Sequence, residues 1–133
     1  MKALHTSKYY EISFDKSKSL IMHKALPATL DMSDEDFKQE MLLFAEMCET
    51  YTPTRDLVNL VNMKYSIAPK MQEWVNTEVF PKFMNIIDRM ALVMPSGIFE
   101  VVALKQTMEE EIAQNFYQKY FDDEEQALEW VME

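Results

Sequence analysis

Apolar and polar positions alternate near the start of this chain and then change period. In "YYEISFD", from Tyr9 to Asp15, the residues Tyr10, Ile12 and Phe14 fall on one face, the period of a half-buried strand. "LIMHKAL", from Leu20 to Leu26, is a second β-like run. The turn-like residues Asp15 to Ser19 lie between them, so the pair reads as a β-hairpin. From Ser33 the spacing becomes helical. Phe37, Met41, Phe44, Ala45 and Cys48 recur at steps of three and four and form one apolar stripe. Ser33 with Asp36 resembles a capping box, and Asp34, Glu35 and Asp36 suit the positive end of the helix dipole. Pro53 predicts where that helix stops.

"DLVNLVN", from Asp56 to Asn62, is apolar on both faces apart from its asparagines, which predicts a strand covered on both sides. A helix is expected from about Ile67 to Phe80, with Pro69 in its first turn and Met71, Trp74, Val75 and Val79 on its buried side. Pro81 breaks or kinks it, and "FMNIID" is a candidate continuation. "MALVMP", Met90 to Pro95, is another buried strand, and "SGIFEVVALKQTMEEE" a helix opening at Ser96. "FYQKYFD", Phe116 to Asp122, is a late strand. "DDEEQALEWVM" is a last helix capped by Asp122 or Asp123, with Ala127, Leu128 and Val131 facing inward. The order β-β-α-β-α-β-α-β-α predicts one α/β domain over residues 1–133. Its sheet is mostly parallel, with an antiparallel hairpin at the N-terminus and helices packed against it. The N-terminus around His5 is expected to be loose.

Composition narrows the chemistry. The 133 residues carry 13 Lys+Arg against 23 Asp+Glu, a net charge of -10, which argues against nucleic acid and anionic lipid as partners. No run approaches the length of a membrane span. The single cysteine, the absence of CxxC and the lack of an apolar core in "MKALHTSKYYEISFD" predict a reducing, cytoplasmic setting. One glycine cannot build a phosphate-cradling loop, so no nucleotide cofactor is expected. Twelve methionines fill a core or line an adaptable binding surface.

The stretches "YYEISFD", "LPATLDMSDEDFKQEM", "SIAPKMQEWVNTEVFPK", "QTMEEE" and "YFDDEEQALEWV" span nearly the whole chain. In order and phrasing the chain resembles the STAS-like fold, named for sulfate transporters and anti-sigma factor antagonists. It is more closely similar to small bacterial single-domain STAS- and CRAL-TRIO-like proteins. The resemblance implies a STAS-like domain that acts as a non-enzymatic regulatory or protein-interaction module, or else as a carrier or sensor of a small apolar, lipid-like ligand. In switch-type members a serine after the central strand is phosphorylated by a partner kinase. Ser66 occupies that place, within "MKYSIAP" rather than an Asp-Ser-Ser-Gly-like turn.

From the residues themselves, Ser66 has two readings. It is an N-cap of the helix that follows, or a hydroxyl that is phosphorylated, with Lys64 and Lys70 close enough to pair with the phosphate. Ligands of open α/β sheets sit beyond the carboxyl ends of the strands, so Asn62, Lys64, Tyr65 and Ser66 are expected to join Met94 and Ser96 at one rim. The alternative is that Asn59 and Asn62 only satisfy turn backbone. Cys48 reads as a buried hydrophobe. His5 and His23 give it no recognisable base, so neither a catalytic thiol nor a zinc site is expected. Phe80, Phe83, Phe99, Phe116 and Tyr117 read as core. A homodimer through a helix face or the hairpin edge is a further option.

Overall fold

The computed structural model describes residues 1–115 and 117–133. Its first strand, β1 (Lys2–Thr6), corrects the expectation of a loose N-terminus, because it pairs antiparallel with β2 (Tyr10–Asp15). "KALHT" carries too few apolar residues to show a strand period. Its order comes from the backbone ladder and from His5 Nε2, which lies 3.2 Å from Glu40 Oε2 on the first helix. β2 and β3 (Leu20–Ala25) form the expected hairpin. Asp15 caps the short turn at Lys16–Lys18, and Ser19 closes it in the left-handed conformation. Helix α1 (Asp34–Tyr51) opens on the capping box read from the sequence: Ser33 Oγ accepts from Asp36 N–H, and Asp36 Oδ2 accepts from Ser33 N–H. It ends at Thr52 with φ 47°.

The remaining elements are β4 (Arg55–Asn59), α2 (Pro69–Trp74), β5 (Arg89–Val93), α3 (Ile98–Glu109), β6 (Tyr117–Phe121) and α4 (Glu124–Val131). α2 begins at Pro69, runs into a π-helical stretch at Val75–Val79, and tightens to a 3-10 turn at Phe80–Lys82, where Pro81 prevents regular continuation. The late strand falls within the predicted span, whose first residue, Phe116, lies outside the described residues.

The fold is α/β with a six-stranded sheet in the order β1-β2-β3-β4-β5-β6. β1 to β3 are antiparallel; β3 to β6 are parallel. A strand–helix–strand crossover between parallel strands is right-handed almost without exception. Three successive crossovers in one direction therefore put α1, α2 and α3 on the same face. They cover the larger core there, which holds Tyr10, Ile21, Phe44, Val58 and Leu92. α4 follows the last strand and returns across the opposite face. Its Ala127, Trp130 and Val131 pack on Leu20, Leu57, Ala91 and Val93. The strands β4 and β5 are thus covered on both sides, as their unbroken apolar runs predicted. Arg55 Nε and Arg89 Nη1 donate to the Val131 and Trp130 carbonyls at the C-terminus of α4, satisfying acceptors that the helix leaves open.

Candidate functional site

The α1–α3 face of the sheet is set by the two-residue period of its strands. Ile21, His23 and Ala25 of β3, Asp56 and Val58 of β4, and Met90 and Leu92 of β5 face this core or the cavity within it. In register Asp56 stands between Ile21 and Met90, and His23 is opposite Val58. Above them, under the helices, lies a cavity of about 80 Å³. Four methionines (Met41, Met63, Met90 and Met108) and four phenylalanines (Phe37, Phe44, Phe80 and Phe83) form much of its wall, with Tyr10, His23, Asp56 and Thr107 as the polar exceptions. Val75, Val79 and Phe80 contribute from the π-helical stretch and the turn after it, geometry that recurs at functional sites.

Asp56 is fully buried, and among the described residues neither carboxylate oxygen has a hydrogen-bond partner. Burial pushes its carboxyl well above the usual carboxylate range, because a charge in this environment loses its hydration without compensation. His23 lies against Phe44 at 4.3 Å between ring centroids and against Tyr10 at 4.7 Å, with Nε2 unpartnered among the described residues. Burial, and secondarily His5, push the His23 imidazole down to about 3. At neutral pH the imidazole is therefore uncharged. Cys48 is buried on the apolar stripe of α1, as the sequence predicted. Burial first, then the charges of Asp56 and Glu49, push its thiol up, the opposite of what a thiolate nucleophile requires. Among the described residues no group of three or more His, Cys, Asp or Glu side chains could hold a metal ion.

Two buried amides knit the helical wall of this cavity. Asn76 Nδ2 donates to the Gln72 and Thr107 carbonyls, and Asn76 Oδ1 accepts from Ala113 N–H. Gln72 Nε2 donates to the Ile67 carbonyl and to Gln106 Oε1. Sequence reasoning missed Asp56, Gln72 and Asn76. For Asp56 a signal existed: it is in phase with Val58 and Leu60, the core-facing residues of its strand run.

The rim residues separate into four places. Ser66 is not a helix cap. α2 starts too late for that, its N-cap is Ala68, and Ser66 Oγ instead points to the Phe99 carbonyl at 3.5 Å. Lys64 Nζ reaches Ser96 Oγ at 3.4 Å, so Lys64, Ser66 and Ser96 do gather beside the start of α3. Ser96 does not open α3 either, since Gly97 holds the N-cap position. Tyr65 turns inward, stacked on Phe37, with its hydroxyl donating to Asp34 Oδ1 at 2.6 Å. Met94 lines a separate groove with Lys105, Tyr120 and Asp122. Asn59 Oδ1 accepts from Val61 N–H and its Nδ2 donates to Glu124, the turn role weighed for it, while Asn62 is exposed in the turn beyond.

The aromatic reading needs correction. Phe80 and Phe83 are core, but Phe99 is 77% and Tyr117 62% exposed, and Phe116 lies outside the described residues. Apolar sequence alone did not show that the start of α3 is exposed and that β6 is an edge strand. Phe99 is joined by Ile98 at 74% and Val102 at 48%, and these residues wall a groove against Ser66, Ile67 and Pro69. Among the described residues no helix is long and apolar enough to cross a membrane. No family model, curated protein or solved structure matches the chain.

Proposed function

We propose that the protein is a non-enzymatic recognition module. Its docking surface is the start of α3 beside Ser66, and its partner is a protein segment with an apolar face and basic flanks. The observation that carries this reading is the exposure of Ile98, Phe99 and Val102 together on one short stretch of helix. Single exposed hydrophobics are ordinary, whereas adjoining ones mark contact surfaces. The position beyond the carboxyl ends of β4 and β5, where open α/β sheets present their sites, supports the same assignment. A net charge of -10 favours a basic partner through steering. The STAS-like kinship and a cytoplasmic location belong to this proposal, with the element order as support for the kinship. The test is co-purification of one stoichiometric partner, lost in Phe99→Asp and weakened by added salt. Equal recovery by the wild type and Phe99→Asp would remove α3 from the account.

A second reading, a carrier or sensor of a small apolar ligand, is favoured by the cavity under α1–α3. The two readings share a wall. α3 lines the groove with Phe99 and Val102 and the cavity with Leu104, Thr107 and Met108. Titrating benzene while following the methyl resonances of Met41, Met63, Met90 and Met108 tests it, and spectra unmoved at saturation count against it.

A further inference from the structure

We propose that Asp56 is the polar anchor of the cavity, and that the cavity takes a neutral single-ring aromatic molecule carrying one hydroxyl, a ligand of the phenol class. The inference deepens the second reading above and rests on it.

Size comes first. An apolar cavity of about 150 Å³ takes up benzene. At about 80 Å³ this one is smaller, so one ring is the upper limit, and it enters only as side chains give way. Four of the lining side chains are methionines, unbranched and able to repack at low cost. The chemistry of the wall then selects an aromatic ring. Tyr10, Phe37, Phe44, Phe80 and Phe83 offer tilted and edge contacts, and the thioethers offer sulfur–ring contacts.

A purely apolar site needs no carboxyl. Asp56 is completely buried, both its oxygens lack partners among the described residues, and it lines the cavity. Buried polar groups are hydrogen-bonded in the great majority of cases, and an unmade bond costs about 1–3 kcal/mol. A ligand hydroxyl both donates and accepts, so it satisfies the carboxyl in its neutral form. A cationic ligand would instead lose its hydration within walls whose polar groups besides Asp56 are only Tyr10, His23 and Thr107. His23, on the neighbouring strand and the same face, supplies a further ring nitrogen without a partner.

The test compares phenol with benzene. In an apolar cavity phenol is the weaker of the two, because its hydroxyl is desolvated without return. Calorimetry on the wild type, with the methionine methyl resonances locating the site, is expected to show phenol bound at least tenfold more tightly than benzene. In Asp56→Val, which keeps the strand and removes the carboxyl, the preference for phenol should fall at least tenfold while benzene still binds, and with His23→Phe added the order should reverse. Benzene bound as tightly as phenol by the wild type overturns the anchor but leaves the cavity reading standing. A phenol preference undiminished in Asp56→Val also overturns the anchor. Binding of neither molecule overturns both.

Discussion

Acidification sets two buried groups of this core against each other, and each can be unmasked by one substitution. His23 is uncharged in the folded protein, its imidazole pushed down to about 3, whereas in the unfolded chain it titrates near 6.5. Below pH 6.5 the unfolded state therefore binds a proton that the folded state refuses, and stability falls. From pH 7 to pH 5 the loss from this group is about 2 kcal/mol. Asp56 has the reverse sign. Its folded carboxyl is held well above the unfolded value near 3.8, so the folded state binds the extra proton and stability falls as pH rises through that window, by up to about 1.4 kcal/mol per pH unit. The assay is urea unfolding at pH 5, 6 and 7, read as differences from the wild type so that surface carboxylates cancel. His23→Phe, which keeps a ring against Phe44 and Tyr10, should gain about 2 kcal/mol on the wild type between pH 7 and pH 5. Asp56→Val should show its largest stabilisation at the upper end of the range and fall back toward acid pH to about 1–3 kcal/mol, the cost of the unmade hydrogen bonds. If His23→Phe and the wild type lose equal stability over that interval, the imidazole is not the buried neutral group described here.

Asn76→Ala should cost about 3 kcal/mol in urea unfolding, because it strands the Ala113 N–H and the Thr107 carbonyl in the interior. Ser33→Ala should cost about 1 kcal/mol through its lost cap, while Ser66→Ala stays within about 0.5 kcal/mol. Equal losses in those two would restore Ser66 as a cap. Thr52→Gly should raise the urea midpoint by about 0.5–1 kcal/mol of stability, since a β-branched residue at φ 47° is strained by more than glycine's added unfolded-state entropy costs. Cys48 should resist Ellman's reagent in native buffer and react fully in 6 M urea; rapid native labelling would contradict its burial.

The fold was legible where a period survived over several residues. The β2–β3 hairpin, the stripe of α1 and the doubly buried β4 and β5 each follow from local pattern plus a recognisable turn or cap. β1 was not, because an edge strand that buries little needs no apolar alternation: pairing along β2 holds it, and the His5–Glu40 contact does the rest. The boundary of α2 slipped for a different reason. Ser66 looked like a cap by residue type, but Pro69 fixes the first turn, and the chain from Met63 to Ala68 is tied down elsewhere, by Thr29 and by the Tyr65–Asp34 bond. Type and spacing cannot register such tertiary anchors.

The candidate site was half legible for a related reason. Methionine content pointed to a core or an adaptable binding surface, and Met41, Met63, Met90 and Met108 do line the cavity, whose wall also holds Phe80 and Phe83, read from the sequence as core. Asp56 was passed over because an acidic residue at a strand start usually stays in solvent. Only the completed sheet, with Ile21 and Met90 on either side and helices above, shows that water cannot reach it. A fold that needed Asp56 only for stability would do better with valine, which suits a strand and leaves no orphaned oxygen. If Asp56→Val is the more stable protein, stability cannot explain the carboxyl, which is the outcome the proposed anchor role requires. If valine destabilises, the carboxyl has a structural partner and the anchor assignment fails.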